Sequence, residues 1–212
     1  NYYEILTHIG HSGKVVIMKR LLIILIFTLS FQSWTKADDI SEFEIDGISV
    51  GDSLLNHYSK NEINEMLTKT VSGYKSKKIK RVFFESKNGS NYLQYNFHYI
   101  NDQSYEIVNV KGIMLMENKN KECNSKKLQI SKEIENSINF KDKKNTIDIN
   151  NVDKTGKSSI DRIKFIVEGG RIEVACWKWS KEIKEKKPWR DTLQVSIRTN
   201  IFNHWLENEA YK

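Results

Sequence analysis

The sequence predicts an α+β fold, and three features carry that prediction: runs that alternate apolar and polar residues, glycine-centred turns between those runs, and separate stretches with apolar residues at helical spacing. Strands grouped in runs, with helices before, between and after them, indicate antiparallel sheet rather than a parallel βαβ arrangement. A chain of 212 residues with 39% hydrophobic content can bury one substantial core.

The first recognisable element is an export leader that begins at Met18. Lys19 and Arg20 form a positive start, Leu21 to Leu29 an apolar stretch, and Thr35-Lys36-Ala37 a small-x-small cleavage site that leaves Asp38 first. The apolar stretch is shorter than the roughly 18 residues that cross a bilayer, so an uncleaved anchor is the alternative and no stable span is expected after cleavage. No Cys stands at the cleavage site to carry a lipid. Residues 1–17 precede the first Met and read as an upstream, non-native extension. The mature domain is then 38–212, divisible into possible halves 38–120 and 121–212. Lys14, Lys19, Arg20 and Lys36 against Glu4 give residues 1–37 a charge of +3, which leaves +4 of the formal +7 for the mature part. That mild excess reads as solvated lysines, and no nucleic-acid motif accompanies it.

In the mature part, Phe43 to Val50 alternates like a short strand, and Gly51 turns the chain into a helix starting at Asp52 or Ser53. Ser59-Lys60-Asn61-Glu62 is a capping box ahead of a helix with Ile63, Met66 and Leu67 at core spacing. Asn88-Gly89 suits a two-residue turn, which pairs Phe84 with Leu93 and Val82 with Tyr95. The strand runs on through Tyr99, turns at Asn101 to Ser104 and returns as Tyr105 to Met116, making a three-stranded meander. Glu122 to Ile138 reads as a helix, and a short strand is expected at Thr146 to Ile149. A turn at Gly169-Gly170 pairs Val167 with Ile172, Phe165 with Val174 and Ile163 with Cys176 inward, and Glu168 with Arg171 and Arg162 with Trp177 outward. Asp191 to Arg198 completes a second meander, and Thr199 or Asn200 caps a last helix with Ile201, Phe202, Trp205 and Leu206. Two antiparallel three-stranded meanders with helices on one face resemble, in outline, paired BamE-like or β-lactamase-inhibitor-like envelope modules.

Two cysteines in an exported chain make a disulfide the default. At 100° per residue Cys123 lies between Ile130 and Ile134 around its helix, and Cys176 points inward with Ile172 and Val174. Both sulfurs then lie between helix and sheet, and closing a loop of that length contributes about 4 kcal/mol in the chain-entropy model.

Gly51-Asp52-Ser53-Leu54 spells the GDSL signature, whose serine is the nucleophile of an esterase family. The partners of that signature are missing: no Gly precedes Asn101-Asp102 at family spacing, and Ile201 stands where His204 needs an Asp. Ser53 therefore reads first as a helix cap, with serine esterase as the alternative function. Gly156-Lys157-Ser158 lacks the leading glycine of a phosphate loop, since Asn151 stands there. His57, His98 and His204 lie on different elements without ligand spacing, so neither metal nor cofactor is implied. Trp177 and Trp179 face away from Cys176 and lie beside Arg162, which makes these residues a candidate binding surface unless another element, the Trp189 loop, covers them.

Over its mature length the chain resembles a family of uncharacterised small exported proteins from Pelagibacter-like marine alphaproteobacteria. The residues that carry the resemblance are Ser33-Trp34-Thr35-Lys36-Ala37-Asp38-Asp39-Ile40, Gly47 to Leu55, Val174-Ala175-Cys176-Trp177-Lys178-Trp179-Ser180, and Phe202-Asn203-His204-Trp205-Leu206. The resemblance implies export and no catalytic residue. The expectation is a periplasmic or secreted, non-enzymatic module presenting one sheet face to an envelope protein, a glycan or a small ligand, with no nucleic acid as partner.

Overall fold

In the computed structural model the described residues are 39–86 and 89–212, which belong to one compact unit. The expected leader, its cleavage site at Ala37 and Asp38, and the extension 1–17 lie outside them. Among the described residues no helix is long and apolar enough to cross a membrane.

Seven strands and four helices make up the described part. In chain order they are α1 (Lys60–Lys69), β1 (Ile79–Glu85), β2 (Gln94–Ile100), β3 (Ile107–Leu115), α2 (Asn120–Ser137), β4 (Asp142–Ile149), β5 (Ser159–Val167), β6 (Gly170–Lys178), α3 (Lys181–Lys186), β7 (Thr192–Thr199) and α4 (Asn200–Asn208). All strands pair antiparallel in one sheet of order β1-β2-β3-β7-β6-β5-β4. The expected two three-stranded meanders and BamE-like halves are not confirmed: β3 pairs with β7 from Asn109↔Arg198 to Leu115↔Thr192, so both runs of strands belong to one seven-stranded sheet. The expected helix coverage of one face is corrected. Helices α1 and α2 cover the apolar face, whereas Phe202 and Trp205 of α4 pack with Ile79 and Val108 on the other.

Strand alternation puts Val82, Phe97, Phe165, Ile172, Val174, Leu193 and Ile197 on the apolar face, where they pack with Ile63 of α1 and Ile134 of α2. Ser59 caps α1 with both bonds of the capping box in place. Thr199 caps α4 by accepting the Phe202 N–H at 3.1 Å.

Both hairpin registers differ from the sequence expectation by two residues. Phe84 pairs with Tyr95 rather than Leu93. The connection after β1 is longer than a two-residue turn because Tyr92 lays its ring over Gly112 of β3, where a Cβ would sit 2.4 Å from that ring. Ser90 and Tyr95 meanwhile bind the Asp46 carboxylate. In the second hairpin Val167 pairs with Gly170, Phe165 with Ile172 and Ile163 with Val174. Gly169 takes the positive φ of the turn, 77°, while Gly170 belongs to β6 because the Arg198 carbonyl leaves no space for a Cβ there. A shift of two keeps every side chain on its face, so the burial pattern survives while the cross-strand partners change. The expected Glu168–Arg171 pair is replaced by Glu168 with Lys141, and Arg162 lies opposite Ala175 instead of Trp177.

Two expectations near the start of the domain are also corrected. Phe43 to Val50 is not a strand: Asp46 and Gly47 both take positive φ, 51° and 75°, and Ile45 bonds back to Ile48 across a tight turn. The helix expected at Asp52 or Ser53 is a single 3₁₀ turn, Leu54–Asn56. The strand expected at Thr146 to Ile149 spans Asp142–Ile149 at one sheet edge.

Candidate functional site

The face of the sheet opposite α1 and α2 is polar. Across the strands one line of neighbours runs Arg81, His98, Asn109, Arg198, Arg171. The next runs Asn96, Lys111, Ser196, Glu173, Lys164, and Arg162 stands one line further along β5. Alternation alone sends these side chains outward, since their neighbours in sequence fill the apolar core. The result is six cations on one face, Arg81, Lys111, Arg162, Lys164, Arg171 and Arg198, of which all but Arg81 surround the carboxylate of Glu173, with Asp148 on edge strand β4 pairing Arg162 at 3.0 Å.

Glu173 has only 3% of its side chain exposed and lies 3.4 Å from Arg162 and 3.8 Å from Arg198. Burial pushes its carboxyl up, but Arg198, Arg162, Lys111 and Arg171 together outweigh that and hold it below the ordinary value, so it is ionised. Lys111 is pushed down to about 7, by desolvation first and by Arg198 next, against the pull of Glu173. Its Nζ lies 5.7 Å from the centre of the Trp177 ring, and among the described residues no oxygen accepts a hydrogen bond from it. His98 is held well below its ordinary value by burial and then by Lys111, Arg81 and Arg198, so it is neutral. Its ring nitrogens meet Tyr74 Oη at 3.1 Å and Asn109 Nδ2 at 2.9 Å, which fixes the Asn109 amide.

Buried polar atoms without a hydrogen-bond partner among the described residues gather on the same face: Asn96 Oδ1, Asn109 Oδ1, Gln194 Oε1, Ser196 Oγ, and the Nε atoms of Arg81, Arg171 and Arg198. Such groups cost free energy unless something meets them. Helix α4 reaches only one end of the face, where a cavity of about 130 Å³ lies between Phe202 and the sheet, lined in part by Arg81, Asn96, Asn109, Lys111 and Arg198.

The sequence-derived candidates fall in three places. Arg162 and Trp177 stand on the polar face. Trp177, Trp179 and Trp189 form a half-buried ladder with ring centres 5.7 and 4.5 Å apart, so the Trp189 loop covers Trp179 only partly. Cys123 of α2 and Cys176 of β6 lie under the opposite face with their sulfurs 2.01 Å apart, at bonding distance. Ser53 is remote from both: its Oγ donates to the Ser104 carbonyl at 2.6 Å and accepts the Leu55 N–H, while Asp52 and His57 pair with each other at 3.5 Å. Among the described residues no group of three or more His, Cys, Asp or Glu could hold a metal. Sequence reasoning missed Arg81, His98, Asn109, Lys111, Glu173 and Arg198. Their signal was the outward half of each alternating run, which shows no cluster until the strand order is known.

No family model, curated protein or solved structure matches the chain.

Proposed function

We propose that this chain is an exported, non-enzymatic binding module of the cell envelope, and that its working surface is the basic face of the sheet. The observation that carries the reading is the gathering of six cations on one sheet face, five of them about the buried carboxylate of Glu173. Mutual repulsion in such an array opposes folding, and an acidic partner offsets it. The partner is an acidic envelope protein, glycan or small ligand. The leader pattern at 18–37 and the resemblance to small exported proteins support a periplasmic or secreted location. So does the cysteine pair at bonding distance, because cytosolic thiols stay reduced. Esterase chemistry at Ser53 is the second reading, carried by the Gly51-Asp52-Ser53-Leu54 signature, and weighed against it is that this hydroxyl donates to the Ser104 carbonyl.

The test is co-sedimentation of the native exported protein with purified envelope fragments. Lys164→Glu with Arg171→Glu changes two cations that form no salt bridge among the described residues, and retention at low ionic strength is expected to fall about tenfold while Ser53→Ala changes nothing. Retention indifferent to the charge reversal would remove the basic face from the reading.

A further inference from the structure

We propose that the cavity between α4 and the polar face is a subsite for a doubly charged oxyanion, the sulfate or phosphate group of an envelope ligand. This rests on the basic face being the binding surface, and names the chemical group it takes. Three cations, Arg81, Lys111 and Arg198, line this cavity, and among the described residues no carboxylate does. Glu173 meets Arg198 only at 3.8 Å. Tyr74, His98 and two buried side-chain amides, Asn96 and Asn109, make up the rest of the polar lining, and the donors that meet no hydrogen-bond partner among the described residues are the Nε atoms of Arg81 and Arg198. An anion is the species that three converging donors of positive charge can hold in common, and a guanidinium presents paired N–H groups to its oxygens. The space, about 130 Å³, admits one such group and excludes a nucleoside or a whole sugar ring, which stay outside on the face.

Lys111 supplies a proton-linked signature. The charged or titratable groups around it are Arg81 of β1, His98 of β2, Arg198 of β7, Glu173 of β6, Arg162 of β5 and, across the cavity, Tyr74 ahead of β1, while α4 brings Phe202 and Leu206. With its pKa near 7 in the free protein, Lys111 takes up a proton when the anion enters at higher pH. Sulfate keeps its charge between pH 6 and pH 9, so any pH dependence of its binding comes from the protein.

Calorimetric titration of the native protein with sodium sulfate tests the site. Affinity is expected to fall about tenfold or more from pH 6 to pH 9, with proton uptake at the higher pH. In Lys111→Met binding is weaker and independent of pH over that range, and in Arg198→Gln it is lost. Because Arg198 also contacts Glu173, Lys111→Met stands alone if Arg198→Gln fails to fold. Inorganic phosphate and vesicles containing phosphatidic acid separate a free anion from a lipid headgroup. Sulfate or phosphate binding that needs Lys111, with or without vesicle binding, supports the subsite. Absence of binding to all three probes, or binding unchanged in Lys111→Met, overturns it. Envelope retention that still depends on Lys164 and Arg171 in that event leaves the basic face in place and removes only the oxyanion.

Discussion

At the scale of single residues, Lys111 carries an electrostatic cost to which burial contributes first. An ammonium held among Arg198, Arg81 and Arg162, with its only described ring partner in Trp177, destabilises the fold when protonated. Its pKa is about 7 when folded against 10.5 when free, so the unfolded chain binds the extra proton between those values. Stability therefore rises with pH across that window as the folded-state charge is shed. Lys111→Met is expected to raise stability by about 1–2 kcal/mol near pH 6, an advantage that disappears towards pH 10, as guanidinium unfolding at the two pH values will show. Some of this site was legible in advance. Arg162 and Trp177 were placed on the outward face because each is out of phase with a core residue, Ile163 and Cys176. Lys111 and Arg198 were not, because they become neighbours only when β3 meets β7, and no local pattern encodes that pairing.

At the scale of elements, turns and helix faces divide what could be read from what could not. Alternation fixes the parity of a strand pair, so both hairpins were assigned the correct faces. The length of a turn depends on what its residues touch: Tyr92 over Gly112 in one case, and Gly170 against Arg198 in the other. Helix α2 buries Cys123, Lys127, Ser131 and Ile134, a stripe in which hydropathy recognises only the ends. Lys127 is buried at 6% exposure because Asp161 of β5 projects from the apolar side of the sheet to meet it. The Cys123–Cys176 link closes a separation of 53 residues between α2 and β6. Reduction, or Cys123→Ala with Cys176→Ala, is expected to cost about 4 kcal/mol and to lower Tm by roughly 8–16 °C, measured by circular dichroism with and without a phosphine reductant.

At the scale of the whole molecule, the β3–β7 seam makes the two runs of strands one cooperative body. Far-ultraviolet circular dichroism and tryptophan fluorescence are expected to report one coincident denaturant transition, because Trp205 lies on one flank of the seam and Trp177 on the other. Two separated transitions would show that the halves fold independently. The edge strand β4 carries Lys143 and Lys144 beside exposed Ile147, charges that discourage the sheet from extending into a neighbouring molecule. The strand order has a further consequence for biogenesis. Residues Thr192–Thr199 are the last strand in the chain yet occupy the centre, so until that C-terminal portion is available, β3 and β6 both wait with unpaired backbone groups. The cysteine bridge lies wholly upstream of that closing strand, and can hold the later half together while the keystone arrives.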